Sequence, residues 1–310
     1  METFALTNLP KRVRICEVGP RDGLQIEAGD VSTAEKIRYI DLLSASGLKL
    51  IEAGSFVHPK LVPQMADTAG VLAGIAKPAG VRFLVLTPNL RGFERALTAG
   101  AEAIAVFTAA SETFAKRNIN MTIDESLAVA RDVLAAARAR GIWTRASIST
   151  SFGCPYEGAV PVANVVRVAR ALLELGADEL SIADTIGVGT PNQVVEIVAA
   201  LQPFVALERF GMHFHDTRGT ALANVLAALQ LGVTQFDASS GGLGGCPFAP
   251  GATGNVATED VLYLLHGMGI ETGIDIERVR DASRYIASVL GRPLASRAYT
   301  ALEAQRTRSA

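Results

Sequence analysis

Only four histidines occur in the chain, and two of them share one short run, His213-Phe214-His215-Asp216. In an extended strand, side chains two residues apart share a face, so both imidazoles would look into the same space while Phe214 looks away. Two imidazoles held together out of water are costly unless something coordinates or hydrogen-bonds them. A divalent metal is the economical partner. Hard oxygen donors are at hand: Asp22 follows Arg21 in the run Gly19-Pro20-Arg21-Asp22-Gly23, and Asn255 follows Gly254. Two nitrogen and two oxygen donors, with positions left open, suit Mg²⁺ or Mn²⁺ and would accept Zn²⁺.

Other groups could work beside such a metal. Arg21 and Asp22 sit in a turn stiffened by Pro20, with glycines that let backbone approach a ligand closely. Six glycines fall between Gly241 and Gly254, a density that reads as a mobile loop, and the loop carries one thiol, Cys246. Glu52 and Ser55 close one apolar run, and Asp184 closes another, Ser181-Ile182-Ala183-Asp184. Asp184 shares a strand face with Ile182, so it reaches a common mouth only because the strand ends there. Cys16 and Cys154 read as structural.

These groups act together only if the fold gathers them. Eight β-branched runs, at 13–18, 50–53, 83–86, 104–107, 144–148, 180–183, 212–215 and 236–239, alternate with helical patterns. The helical period is clearest at 34–46, 127–140, 162–175, 193–201 and 221–231, and 259–284 adds further helix. Gly47, Gly100, Gly141, Gly176 and Gly232 stand where helices stop before a short loop. This β-then-α order predicts an α/β protein, a closed (β/α)₈ TIM barrel with additional C-terminal helices. The competing open doubly wound sheet would show a G-x-G-x-x-G turn after its first strand, and Gly19–Gly23 is not one. The expected organisation is one catalytic domain over 1–310, with the barrel at about 11–270 and a helical extension at about 271–295.

Composition narrows the function classes. The 310 residues carry 29 Lys+Arg against 31 Asp+Glu, so a nucleic-acid partner is not expected. No apolar stretch approaches the roughly 18 residues of a membrane span. Three scattered cysteines build no disulfide framework. Met1 to Pro10 show no leader-like pattern, so a cytoplasmic location is the expectation.

Taken together, the stretches 17–25, 55–65, 153–158, 183–191, 213–216 and 242–260 resemble the hydroxymethylglutaryl-CoA lyase family, in family order from about Arg14 to about Leu290. The resemblance implies a TIM barrel that splits 3-hydroxy-3-methylglutaryl-CoA into acetyl-CoA and acetoacetate with a divalent metal. It assigns Asp22, His213, His215 and Asn255 as metal ligands and Arg21 as the catalytic arginine. Asp22 or His213 would accept the hydroxyl proton, and Cys246 would return a proton when its loop closes. Glu52 and Asp184 match active-site acids. Arg21, Gln25, Ser55, Gly244 and Gly245 would meet the acyl-CoA substrate, and Glu259 is a supporting position. A homodimer is expected. Three places depart from the family's pattern: Ile26-Glu27-Ala28, Arg218-Gly219-Thr220 and Phe152. They leave open a lyase for a larger 3-hydroxy-3-alkylglutaryl-CoA. A related condensing enzyme, of the isopropylmalate or homocitrate synthase kind, would show His-x-His-Asn-Asp in place of His215-Asp216-Thr217.

Overall fold

The eight expected strands close into one all-parallel barrel in the computed structural model, which describes residues 9–245 and 254–309. They are β1 Arg14–Glu17, β2 Leu50–Ser55, β3 Arg82–Leu86, β4 Ala103–Ala109, β5 Trp143–Ser149, β6 Glu179–Asp184, β7 Phe210–Phe214 and β8 Gln235–Ala238. Each pairs with its neighbours in chain order, and β1 meets β8 with Arg14 opposite Gln235 and Glu17 opposite Ala238. The helices are α1 Thr33–Ala45, α2 Thr68–Gly74, α3 Leu90–Thr98, α4 Glu112–Ile119, α5 Ile123–Arg138, α6 Val162–Glu174, α7 Pro191–Leu201, α8 Ala221–Gln230, α9 Thr258–Gly267, α10 Ile276–Leu290 and α11 Arg297–Ser309.

Alternation along the strands separates two environments. Ile15, Ile51, Val85, Ile104, Ile148 and Ile182 look outward into the layer shared with the helices, each at most 1 % exposed. Burying such a side chain stabilises the fold by about 1.5–3 kcal/mol. The inward positions divide again. Cys16, Leu50, Leu84, Leu86, Ala103 and Ala105 form a separate apolar cluster on the β1–β4 side. On the β5–β8 side the interior is ionic, with Arg145 paired to Glu179 at 2.9 Å and to Asp237 at 2.6 Å.

The anticipated stop glycines take positive φ, Gly47 at +102° and Gly176 at +91° among them. Three helices that the pattern does not announce, α2, α3 and α4, are short; α3 and α4 are set by side-chain caps. Asn89 accepts from Gly92 N at 2.9 Å and Ser111 from Phe114 N at 3.2 Å. The helical stretch expected at 259–284 is two helices, because Gly269 and Gly273 turn the chain at φ +73° and +71° and Asp275 caps α10. A further helix, α11, runs past the expected end of the extension at about 295. No helix among the described residues is long and apolar enough to cross a membrane.

Candidate active site

After β1 the chain makes a single π-helical turn, Gly19–Gly23, of the kind that recurs at functional sites. The turn is tight because its glycines leave room: a Cβ on Gly19 would lie 2.6 Å from Glu17 Oε1 and from the Tyr39 hydroxyl, and one on Gly23 would lie 2.9 Å from Leu243 Cβ. It carries Arg21 and Asp22 to the C-terminal mouth of the barrel. Arg21 Nη1 binds Asp22 Oδ1 at 2.8 Å and Nη2 binds Glu52 Oε2 at 2.7 Å. Burial works against the guanidinium charge, but Glu52 and Asp22 outweigh it and hold Arg21 firmly protonated. For Glu52 burial wins, and its pKa stays above the usual carboxylate value despite Arg21.

At the end of β7, His213 and His215 face the same mouth with ring centroids 5.1 Å apart. Their Nε2 atoms approach to 3.1 Å. The Nδ1 of His213 meets Asp237 Oδ2 at 3.1 Å. A backbone bridge sets Asn255 opposite His215, and Asn255 Nδ2 donates to Asp22 Oδ2 at 2.9 Å and to Leu243 O at 3.1 Å. The ligand atoms of Asp22, His213 and His215 lie within 4.8 Å of one another. Burial would raise the Asp22 pKa, but Arg21 and the two histidines bring it below its ordinary value, leaving a carboxylate. Burial and the neighbouring His213 push His215 down to about 3, so it is a neutral imidazole with a lone pair to offer.

This donor set fits a divalent cation. Two imidazole nitrogens at 3.1 Å can share one proton at most, and among the described residues neither His215 Nδ1 nor Asn255 Oδ1 has a hydrogen-bond partner. A carboxylate, two imidazoles and an amide oxygen are the donors that Mg²⁺, Mn²⁺ or Zn²⁺ accept. The cluster opens into a cavity of about 600 Å³, whose wall continues from Arg21, Asp22 and the histidines to Leu86, Val106, Phe107, Phe114 and Met121.

The family comparison agrees with this geometry. The family model described as HMGL-like matches residues 12–286. The chain belongs to that family. It is 53% identical over 298 residues to the 3-hydroxy-3-isohexenylglutaryl-CoA/hydroxy-methylglutaryl-CoA lyase of Pseudomonas aeruginosa, covering 96% of this chain and 99% of that one. With the mitochondrial hydroxymethylglutaryl-CoA lyase of Gallus gallus it shares 52% identity over 283 residues, 91% of this chain and 95% of the relative. The crystal structure of hydroxymethylglutaryl-CoA lyase from Pseudomonas aeruginosa superimposes with a TM-score of 0.95 at 53% identity, covering 96% of this chain and 100% of that one.

Within this HMGL-like barrel, the residues singled out in the sequence divide into those gathered at the mouth and those set apart. Arg21, Asp22, Gln25, Glu52, His213, His215 and Gly245 line the cavity. Asn255 stands against Asp22. Gly244 makes space for it, since a Cβ there would come 2.6 Å from Asn255 Nδ2. Three other residues are engaged elsewhere. Asp184 is fully buried, and its oxygens accept from Val188 N at 2.9 Å and Gly189 N at 2.8 Å, fixing the loop after β6. Burial raises its pKa in spite of those bonds. Ser55, also buried, accepts from Val57 N at 3.2 Å. Glu259 accepts from Gly241 N at 2.8 Å and from the Ser283 hydroxyl. Cys246 lies outside the described residues. Cys16 and Cys154 are buried and unpaired with each other.

Of the three departures from the family's pattern, Ile26 lines the cavity. Arg218 is occupied with the carbonyls of Ile186 and Gly187, and Phe152 packs on Phe214 at 5.6 Å. Sequence reasoning missed Asp237, Arg145 and Glu17. A usable signal existed for Asp237 and Arg145: each is a charged residue at an inward position of a strand whose neighbours are apolar or small.

Proposed function

We propose that this chain cleaves 3-hydroxy-3-methylglutaryl-CoA to acetyl-CoA and acetoacetate, with a divalent metal held by Asp22, His213, His215 and Asn255. One observation carries the proposal: a positive guanidinium and an incomplete set of metal donors face one cavity. When bound, a divalent cation lends Lewis acidity to an alcohol oxygen, lowers its pKa and templates the cleavage.

The reaction is a retro-Claisen cleavage. The C3 hydroxyl proton leaves to the Asp22 carboxylate, the O–H electrons become the new ketone C=O, and the C2–C3 pair moves onto the thioester as an enolate. Arg21 is the charge stabiliser. Its fork is held at both ends by Asp22 and Glu52, so it meets the enolate oxygen already oriented. A proton must then reach C2, the role proposed on sequence grounds for Cys246. The barrel, with α10 packed on α1 and α11 on α9, is the single catalytic domain of this proposal.

The apolar wall favours a broader substrate range as a second reading. Leu86, Val106, Phe107 and Met121 line the same cavity, and the Pseudomonas relative is named for an isohexenyl as well as a methyl substrate. The test is to incubate the protein with 3-hydroxy-3-methylglutaryl-CoA and Mg²⁺ or Mn²⁺. Equimolar acetoacetate and acetyl-CoA are expected. Absence of both products would overturn the proposal, and a higher kcat/KM on a longer C3 branch would select the second reading.

A further inference from the structure

His213 is gripped from behind by a carboxylate that is itself held across the barrel. Asp237 on β8 lies opposite His213 on β7 in the strand register. Its Oδ2 takes His213 Nδ1 and the Ser181 hydroxyl, each at 3.1 Å. Its Oδ1 takes Arg145 Nη2 at 2.6 Å. Donors from β5, β6 and β7 therefore converge on one carboxylate of β8, and Asp237 and Arg145 are 4 % and 3 % exposed. Arg145 reaches that far because β7 leaves space. A Cβ on Gly211, two residues before His213, would lie 3.0 Å from Arg145 Nη2. The other side of Arg145 is fixed by Glu179 at 2.9 Å, which in turn pairs with Arg14.

We propose that Asp237 is a positioning residue that fixes the ring and tautomer of His213 for metal binding, and that Arg145 fixes Asp237. The inference rests on the metal reading above. An ionised carboxylate only accepts, so a neutral His213 must place its proton on Nδ1. The lone pair is then on Nε2, the atom facing His215 and the Asp22 cluster. Carboxylate partners of this kind orient metal-binding imidazoles, and their loss commonly weakens metal affinity by about 10–100-fold. Asparagine at 237 inverts the arrangement. Its amide oxygen can still accept from Arg145, so its NH₂ faces His213 Nδ1. That nitrogen must now accept, and the ring proton moves to Nε2, where the metal needs a lone pair.

The decisive experiment is calorimetric titration of Mn²⁺ into the chelator-stripped full chain, wild type and Asp237→Asn, with circular dichroism as the check on folding. The variant should stay folded and bind Mn²⁺ about 10–100-fold more weakly. A folded variant that binds Mn²⁺ like the wild type would overturn the inference while leaving the metal site intact. A wild type that takes up no Mn²⁺ would overturn the metal reading and this inference together. Should the variant not fold, the wild type decides. Nitrogen NMR of the metal-free protein, raised in pH until the His213 ring is neutral, reads the tautomer directly among only four histidines. His213 protonated at Nδ1 supports the inference, and His213 protonated at Nε2 overturns it.

Discussion

Around Glu17 and Glu259, each carboxylate oxygen has a donor within the protein, whereas at the barrel mouth His215 Nδ1 and Asn255 Oδ1 have none among the described residues. Glu17 accepts from Gly19 N at 2.9 Å, Ser240 N at 2.8 Å and the Thr258 hydroxyl at 2.6 Å, so it ties the turn after β1 to the turn after β8 and to α9. Glu259 ties that second turn to α10 through Gly241 and Ser283. A satisfied polar cluster holds chain segments together. An unsatisfied one is arranged for a partner that the chain does not supply. The Glu17–Glu259 cluster acts as a clasp on the turns after β1 and β8, while the donors at the mouth are left open to a partner.

The largest test of that contrast is at Arg21. Replacement by Met should lower kcat by about 10²–10³-fold, the usual loss for one preorganised donor, and a change confined to KM would reassign Arg21 to substrate docking. Next comes His215→Ala, which should weaken Mn²⁺ binding by roughly tenfold or more in a direct titration. On the clasp side, Glu259→Ala leaves a buried amide and a buried hydroxyl without their acceptor, at about 1–3 kcal/mol for each. Its denaturation midpoint should fall while Mn²⁺ affinity holds.

The pH dependence should also separate the two clusters. Burial raises Glu17 and Glu259 from 4.5 to about 7. Between those values the folded protein keeps protons that the unfolded chain has released, so their contribution is complete below 4.5 and is lost as pH rises through about 7. Unfolding measured across that window should show wild type losing stability relative to Glu259→Gln, whose amide does not ionise, as pH rises; wild type gaining on the variant would reverse the assignment. The smallest expected effect is at Ser55. Removing its hydroxyl should cost about 0.5–1.5 kcal/mol of stability and leave KM unchanged, whereas a raised KM would put Ser55 in contact with substrate.

The barrel was legible because its signals are local: β-branched runs, then helical period, then a glycine stop at Gly47, Gly100, Gly141, Gly176 and Gly232. The candidate metal cluster was legible because histidine is scarce here and His213 and His215 are two apart at the end of a strand. What escaped depends on contacts that only the folded chain makes. Asp237 stands out only as a charge at an inward strand position, and what that charge does shows once Arg145, 92 positions away, crosses the barrel to it. Asp184 looked like an acid at a strand end, but Val188 and Gly189 present their amides to it once the loop has formed. Helices α2 to α4 escaped because short elements show too little periodicity to separate from loops.

Chelation tests the central claim most directly. The chelator-stripped chain should release no acetoacetate from 3-hydroxy-3-methylglutaryl-CoA, and added Mg²⁺ or Mn²⁺ should restore cleavage as one ion per chain is taken up. Undiminished cleavage in excess chelator would contradict the claim that the unsatisfied donors at the barrel mouth hold the metal on which the reaction depends.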